Sequence, residues 1–324
     1  MRLIEAANLD SIASYSIVER DKPVPGKGQA LLRVHACGVG YVDALVALGK
    51  YQVKPALPHT PGMEVAGTIE ALGPGTEGLA IGQRVLAQAI GGFAEYILVA
   101  PALITPIPDK MTFPQAAAFR VNYLTALHGL QDRARLAAGE TLLVTGAAGG
   151  VGLAAVQVGK HLGARVIACA STEEKRAFAL AHGADAAIDT QADKWRDRLK
   201  PLASGKGPDV IFDPVCGPLF EPAFRSLAWG GRHMVVGFAG GPIPALPANL
   251  PLMKGAGLLG VDVRQFMMFE WERASVHLAT LLSWVEQGHL APAIGKVFAF
   301  DDFREALTYA LSGKGLGKTI LSVA

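Results

Sequence analysis

The sequence predicts an α/β protein with two domains, one built on a doubly wound parallel sheet and the other on a small barrel-like set of β-strands. Its 324 residues correspond to roughly two domains of about 150 residues each. The pattern also changes near Pro114. Before it, short apolar strands alternate with Gly/Pro turns; after it, helical stretches alternate with short apolar strands, as in βαβ units.

Composition excludes several function classes. Hydrophobic residues make up 51% of the chain and charged residues 18%, which excludes disorder and a coiled coil. The 30 basic and 28 acidic side chains leave a net charge of +2, too small for a polybasic nucleic-acid-binding face. Because Glu5 interrupts the N-terminus early, we expect no signal peptide, and three widely spaced cysteines favour a cytoplasmic location.

One uncharged stretch bears on the expectation that no part of the chain enters a membrane. Residues 141–159 carry no charge over 19 positions, which is the length of a membrane span. Five glycines interrupt the stretch, and lipid could not satisfy the polar groups of a broken backbone. We therefore predict a buried strand, a turn and a buried helix here.

The elements follow the two patterns in order. The first 110 residues are predicted to form short strands at 29–36, 65–72, 83–87 and 93–99, separated by Gly/Pro turns. The later strands are predicted at 141–145, 165–170, 186–189, 210–213 and 233–237, with helices at 153–162, 173–182, 195–203 and 220–227. Further helices are predicted at 275–287 and 302–310, and a final strand at 318–322.

A glycine-rich turn lies where the apolar strand at 141–145 gives way to an alanine-rich helix. Glycines permit a tight turn and let the backbone approach a pyrophosphate, while the helix N-terminus offers free N–H groups to the anion. Close helix packing alone could also select small residues, but the strand before and the helix after favour dinucleotide binding. The predicted cofactor-binding residues of this turn are Gly146, Ala147, Gly149, Gly150, Val151 and Gly152.

The tip of the next strand indicates which dinucleotide binds. An NAD site would place Asp or Glu there to bond the ribose 2′-hydroxyl, but this chain has Ala170 and Ser171. A hydroxyl with nearby cations suits a 2′-phosphate, so NADPH is the predicted cofactor. Alternatively, Ser171 caps the helix in a capping box with Glu174, and the two basic residues are only solvated. The residues predicted to hold the phosphate are Ser171, Thr172, Lys175 and Arg176.

The order of motifs resembles the zinc-independent medium-chain dehydrogenases/reductases, specifically the NADPH:quinone oxidoreductase (zeta-crystallin-like) family. The resemblance covers essentially the whole chain. The motifs that carry it lie at 35–39 with Asp43, and at 49–51, 61–67, 92–96, 146–152, 230–232, 235–238 and 317–318.

The resemblance implies a domain organisation and further site residues. It implies a GroES-like catalytic domain at 1–120, a Rossmann NADPH-binding domain at 121–260, and a segment at 261–324 that returns to the first domain. It also implies a homodimer. Gly237, Phe238 and Lys318 are expected to contact the cofactor.

Zinc-dependent relatives in this superfamily hold a catalytic metal through ligands at three places. The corresponding positions here are Gly40, Met63 and the stretch 117–121, and none is a ligand type. Zn²⁺ needs three or four N, S or O donors, which Glu64 alone cannot supply, and Cys37 is more typical of packing. We therefore expect no metal.

Without a Lewis acid, the expected chemistry is hydride transfer to an electron-poor π system, a quinone or another α,β-unsaturated carbonyl. The protein must then stabilise the developing oxyanion. Tyr51 is the expected donor, because the family carries a cleft-lining Tyr at the matching place; the alternative is a surface aromatic that packs on a loop.

The chain also departs from the family pattern. Gly40 and Leu45 replace Asn and Tyr, and Arg120 replaces a small residue or Pro, so quinone specificity stays open. Arg120 is a candidate catalytic residue that could recognise an anionic or carbonyl group, or else form a structural salt bridge. Asp213 lies at a strand end on the cofactor side. It is either part of the ligand site or a capping residue.

Two other functions stay open from the sequence. An enoyl-thioester reductase shares the implied fold and would need cationic residues for a phosphopantetheine arm. The second alternative is not an enzyme: it is a non-catalytic, crystallin-like protein that binds NADPH.

Overall fold

The structure is a computed structural model that describes residues 1–323. Its contacts divide the chain into two compact units, one of Met1–Arg120 with the residues from Pro292 onward and one of Val121–Ala291. The first unit is a β domain and the second contains a parallel sheet, so the predicted α/β fold class is confirmed.

The first unit begins with strands and two short helices. β3 is its longest strand, and the capping box of Thr112 and Gln115 starts α2. The elements are β1 (Arg2–Glu5), β2 (Ser16–Glu19), β3 (Ala30–Val39), α1 (Tyr41–Ala47), β4 (Glu64–Leu72), β5 (Arg84–Gln88), β6 (Tyr96–Val99), β7 (Ile104–Pro106) and α2 (Phe113–Ala117).

The second unit alternates strands with helices. A π-helical segment, His128–Arg133, continues α3. The elements are α3 (Arg120–Leu127), β8 (Thr141–Thr145), α4 (Gly150–His161), β9 (Arg165–Cys169), α5 (Glu173–Ala181), β10 (Ala186–Ile188), α6 (Trp195–Leu202), β11 (Val210–Asp213), α7 (Phe220–Ser226), β12 (Arg232–Val235), α8 (Asn249–Lys254), β13 (Gly257–Gly260), α9 (Val263–Phe269) and α10 (Trp271–Glu286).

The chain then adds β14 (Ile294–Ala299), α11 (Phe303–Leu311) and β15 (Lys318–Ser322) to the first unit. The sheet of that unit has the order β14-β15-β3-β4-β5-β7, and β6 also pairs with β3. β15 runs antiparallel to β3, with Leu321 opposite Cys37 and Thr319 opposite Val39. This register brings the start of the last strand, Lys318, next to the end of β3.

The sheet of the second unit is entirely parallel, in the order β10-β9-β8-β11-β12-β13. All five residues of β8 are buried, as expected for a strand covered on both faces. The strand order reverses between β8 and β11, and ligands of such sheets bind outside the carboxyl ends of the strands at that point. β8 leads directly into the glycine-rich turn.

The segment 261–291 lies in the second unit, whereas the domain boundaries taken from the resemblance grouped 261–324 with the first. A buried polar cluster accounts for the difference. The Asp132 carboxylate accepts hydrogen bonds from His277 of α10 at 2.9 Å, from Arg273 at 2.6 Å and from His128 at 2.8 Å. The ring of Phe266 stacks on His128, so α9 joins the same cluster.

The uncharged stretch 141–159 forms β8, the glycine-rich turn and most of α4, as predicted. Across residues 1–323, none of the helices combines the length and the apolar character that crossing a membrane would require.

Candidate functional site: a nucleotide turn and a buried lysine cluster

The glycine-rich turn between β8 and α4 depends on close backbone contacts. A Cβ at Gly152 would stand 2.2 Å from the carbonyl oxygen of Gly146. Gly146 itself has a positive φ of 56°, which favours glycine. The Gly149 N–H closes the turn by donating to the Gly146 carbonyl at 3.0 Å. The turn therefore requires glycine at both ends for steric reasons.

The N-terminus of α4 has the properties of an anion site. Its N-cap residue, Gly149, has no side chain that could cap the first-turn N–H groups, and no acid lies in the first turn. Those N–H groups and the positive end of the helix dipole are therefore available to a phosphate. Asn122 of α3 lies against Gly150. A Cβ on Gly150 would stand 2.8 Å from the side-chain nitrogen of Asn122. The contact of Asn122 with Gly150 is not visible in the sequence, because 28 residues separate the two.

Asp213 orients the neighbouring loop instead of facing a ligand. Its carboxylate accepts hydrogen bonds from the Thr145 hydroxyl, from the N–H groups of Val215 at 3.0 Å and Cys216 at 2.8 Å, and from His233 Nε2 at 3.0 Å. Burial opposes ionisation, but the hydrogen bonds of His233 and Thr145 hold the pKa of Asp213 below its usual range. Of the two roles that the sequence left open, these contacts are those of a positioning residue.

The same loop connects two groups of predicted cofactor residues. A Cβ on Gly146 would stand only 2.9 Å from the side chain of Val215. The carbonyl of Pro214 lies 3.2 Å from where a Cβ on Gly237 would stand, and Phe238, next in the chain, is 38% exposed. The structure thus brings the Gly146–Gly152 turn and the Gly237 segment to the two sides of one loop.

At the tip of β9, Thr172 caps α5, not Ser171. The Thr172 hydroxyl accepts a hydrogen bond from the Lys175 N–H at 3.2 Å. The predicted Ser171–Glu174 capping box is therefore wrong, because the helix begins one residue later. Arg176 Nη1 donates to the Ala170 carbonyl at 3.1 Å, so its guanidinium lies at the strand tip. Burial lowers the pKa of the Lys175 ammonium. A bound anion would stabilise the charged form of this side chain.

In the first unit, Lys318 is buried among acidic side chains. Its Nζ lies 3.0 Å from Glu64 Oε2, and both side chains are at most 10% exposed. Burial opposes its charge, but Glu64 and Asp43 together raise the pKa of Lys318. Burial raises the pKa of Asp43 while Lys318 opposes that rise, and burial raises the pKa of Cys37 well above its usual value.

Gly40, one of the positions that correspond to zinc ligands, lies beside this lysine, and Ala117, at the start of the third such stretch, lies against the neighbouring Gly38. A Cβ on Gly40 would stand 3.5 Å from Lys318 Nζ, and a Cβ on Gly38 would stand 2.3 Å from the Ala117 carbonyl oxygen. Glu64 is engaged by the ammonium. These residues do not fit a zinc ion, because an ammonium lies beside the space into which a ligand side chain would project. Within residues 1–323, no cluster of three or more His, Cys, Asp or Glu could hold a metal.

The two candidate catalytic residues lie in different surroundings. Tyr51 is half-buried in the bend after α1, and its hydroxyl makes no hydrogen bond within residues 1–323. Before it, Gly49 has a φ of 62° and a Cβ there would stand 2.8 Å from the Leu9 carbonyl oxygen. Arg120 is buried and its Nη1 donates to the Leu103 carbonyl at 3.0 Å, a structural contact. Substrate recognition by Arg120 stays a prediction.

Comparisons with known proteins agree with both units. A family model described as "Alcohol dehydrogenase GroES-like domain" matches residues 26–109, and one described as "Zinc-binding dehydrogenase" matches residues 150–279. The rat protein "Quinone oxidoreductase-like protein 2" is 35% identical over 300 residues, which cover 92% of this chain and 86% of that protein.

Solved structures extend the similarity to the whole chain. A mycobacterial protein complexed with NADPH superimposes with a TM-score of 0.91 at 30% identity, and an NAD-dependent alcohol dehydrogenase with 0.92 at 28%. Both alignments cover 100% of each chain. The fold, the glycine-rich turn and the similarity over nine-tenths of the chain together establish that this protein belongs to the quinone oxidoreductase family of zinc-independent medium-chain dehydrogenases/reductases.

Proposed function

We propose that this protein reduces quinones or other α,β-unsaturated carbonyls by hydride transfer from NADPH, without a metal. The absence of a metal from the proposed reaction rests on one observation. The Lys318 Nζ lies 3.5 Å from the place where the Cβ of a side chain at position 40 would stand. A cation there repels a metal ion electrostatically and already engages the carboxylate of Glu64. The mycobacterial structure with NADPH supports the choice of cofactor.

The residues at the carboxyl edge of the parallel sheet would hold the cofactor. The turn and the N-terminus of α4 would take the pyrophosphate, and Lys175 and Arg176 the 2′-phosphate. When bound, NADPH supplies the hydride. The proposed residues of the second unit are Gly146, Ala147, Gly149, Gly150, Val151, Gly152, Ser171, Thr172, Lys175, Arg176, Gly237 and Phe238. Lys318 also belongs to the proposed set, but it lies in the first unit, where its ammonium pairs with Glu64.

The proposal is tested by following NADPH absorbance in a stopped-flow instrument with quinones, simple enones and a crotonyl thioester. We expect turnover with the quinones or enones, and unchanged turnover after treatment with a chelator, with no stoichiometric zinc by elemental analysis. Turnover of the thioester alone would identify an enoyl-thioester reductase, and no turnover a binding protein. Activity that is lost with the chelator and restored by Zn²⁺ would refute the metal-free reaction.

Tyr51→Phe is expected to lower kcat more than it raises KM, because the hydroxyl would stabilise charge that develops only during the reaction. Loss of one donor at a strong oxyanion site lowers the rate roughly 10²–10³-fold, and we expect a smaller effect with an electron-poor quinone. Tyr309→Phe, another half-buried tyrosine of the same unit, is the control and should leave kcat unchanged. Equal kcat and kcat/KM in Tyr51→Phe and the wild type would exclude the role.

The wild-type protein is expected to bind NADPH at least about tenfold more tightly than NADH, a difference of roughly 1.4 kcal/mol. Charge-assisted hydrogen bonds to a 2′-phosphate are worth about 1.5–3 kcal/mol each, and a 2′-hydroxyl gains little from them. Lys175→Ala should weaken NADPH binding and leave NADH binding nearly unchanged. Lys110→Ala removes an exposed charge elsewhere and should change neither. Fluorescence titration measures the affinities of all three proteins for both cofactors, and equal wild-type affinities would contradict the assignment.

We also propose a cytoplasmic homodimer. The three described cysteines are buried and free, which suits a reducing compartment. β13 pairs with β12 along one edge, and Leu258 on it is 41% exposed. Nearby in sequence, Met268 and Phe269 are 59% and 75% exposed, an amount of apolar surface that a second copy could cover. Sedimentation velocity at micromolar concentration should show a dimer, and a monomer throughout would reject this proposal.

A further inference from the structure

The second unit carries a basic groove that the proposed reaction does not use. The groove runs along α6 beside α7, has a volume of about 530 Å³, and contains none of the proposed cofactor residues. Asp197 is the single carboxylate among its lining residues. The six cationic side chains that line it are Lys194, Arg196, Lys200, Lys206, Arg225 and Lys254.

Most of these cations lack acidic partners. Arg225 pairs with Glu221, with 2.7 Å between Nε and Oε1, but none of the other five lies in a salt bridge within residues 1–323. Lys254 Nζ donates to a backbone carbonyl at 2.7 Å. Burial and the positive charge of Arg196 lower the pKa of the Lys254 ammonium. Like charges therefore crowd the groove, and a bound anion would relieve their repulsion.

The apolar floor of the groove offers no surface for a nucleobase. Trp195 is 1% exposed, and its Nε1 donates to the Asp189 carbonyl at 2.8 Å. Grooves that bind single-stranded nucleic acid combine cations with exposed aromatic rings on which bases stack. The groove therefore offers its ligand positive charge without an aromatic surface for stacking.

We propose that this groove binds a small polyphosphate anion, either inorganic triphosphate or the triphosphate group of a nucleotide. A volume of about 530 Å³ falls within the range of sites for small molecules. Lys200 and Lys206 are both exposed and would contact the phosphate oxygens as mobile point charges. Arg196 holds its guanidinium in place by donating to the Arg225 carbonyl at 3.2 Å.

The test is calorimetric titration of inorganic triphosphate into the protein saturated with NADPH, in a magnesium-free buffer of low ionic strength. Saturation prevents the triphosphate from occupying the cofactor site. We expect one bound triphosphate, with an affinity that falls as salt rises. The double variant Lys200→Glu/Lys206→Glu should weaken binding at least roughly tenfold, and NADPH affinity should not change.

A charge-matched control is Lys27→Glu/Lys110→Glu, which makes the same change at exposed lysines of the other unit. It should bind triphosphate like the wild type. Lys200→Gln/Lys206→Gln keeps the test interpretable if the charge reversal prevents folding. ATP should bind like inorganic triphosphate and guanosine should not bind. Absence of binding at millimolar triphosphate, equal weakening in the control, or binding of single-stranded RNA in preference to triphosphate would overturn the proposal.

Discussion

Gly152→Ala is expected to lower both the stability of the protein and its affinity for NADPH. The new methyl group would stand 2.2 Å from the Gly146 oxygen, 2.8 Å from the Gly146 carbonyl carbon and 3.1 Å from the Ala147 Cα. All three atoms are backbone, so the turn must open to relieve the contact. We expect a loss of about 1–3 kcal/mol in the free energy of unfolding, as for other overpacked sites. NADPH should bind at least roughly tenfold more weakly, equivalent to about 1.4 kcal/mol.

Gly149→Ala is the matched control in the same turn. Its φ is −84°, and its nearest neighbour would be the Gly146 oxygen at 3.5 Å, an ordinary contact. The Ala restricts the unfolded chain, which favours folding by about 0.4–1 kcal/mol, but Gly is preferred over Ala at an N-cap, so the net change in stability should stay within about 1 kcal/mol. Urea unfolding measures the stability of both variants, and fluorescence titration their affinity for NADPH. If both variants unfold at the same urea concentration, the steric account of the turn is wrong.

Lys318→Met is expected to be the most destabilising change in the first unit. Removing the ammonium leaves the carboxylates of Glu64 and Asp43 buried near one another without their common counter-charge. Breaking a buried pair from one side costs about 3–5 kcal/mol. Because the charge of Glu64 also acts on the buried Arg120, we expect a loss at the lower end of that range. Thermal and urea unfolding of the purified variant would measure the loss.

The double variant Lys318→Met/Glu64→Gln separates electrostatics from packing. If the loss of the Lys318 charge beside Glu64 causes the destabilisation, neutralising Glu64 should recover part of the stability, so the double variant should be more stable than Lys318→Met. Glu64→Gln alone should also be less stable than the wild type. A double variant that is no more stable than Lys318→Met would show that packing of the lysine stem, and not its charge, maintains the cluster.

Periodicity predicted most of the regular elements of the second unit, but not α3, α8, α9 and β13. β8 and β11 have the predicted bounds, because strands covered on both faces are short uninterrupted apolar runs. The glycine-rich turn was predicted for the same local reason, since its strand, glycines and helix are consecutive in the chain. α4 begins three residues earlier than predicted, because Gly150 and Gly152 are helical despite their low intrinsic propensity.

Elements with little side-chain pattern were not predicted. β13 consists of Gly257–Gly260 and becomes a strand because it pairs in parallel with β12. β14 has an irregular burial pattern and a shift in its pairing with β15, so it lacks the alternation of a half-buried strand. In both cases the partner strand, which lies elsewhere in the chain, supplies the hydrogen bonds that define the element.

The sequence by itself determined the α/β class, the position of the glycine-rich turn and the absence of ligand residue types at positions 40 and 63, because each depends on residue identity or local order. Tertiary structure decided how the polar side chains pair. Only the fold brings Lys318 to Glu64, 254 residues away, and brings Asp213 to His233, Thr145 and the loop that it orients. Such pairings are invisible in sequence because hydrogen bonds and ion pairs depend on distance in space, which the register of β15 on β3 and of β11 on β8 and β12 establishes.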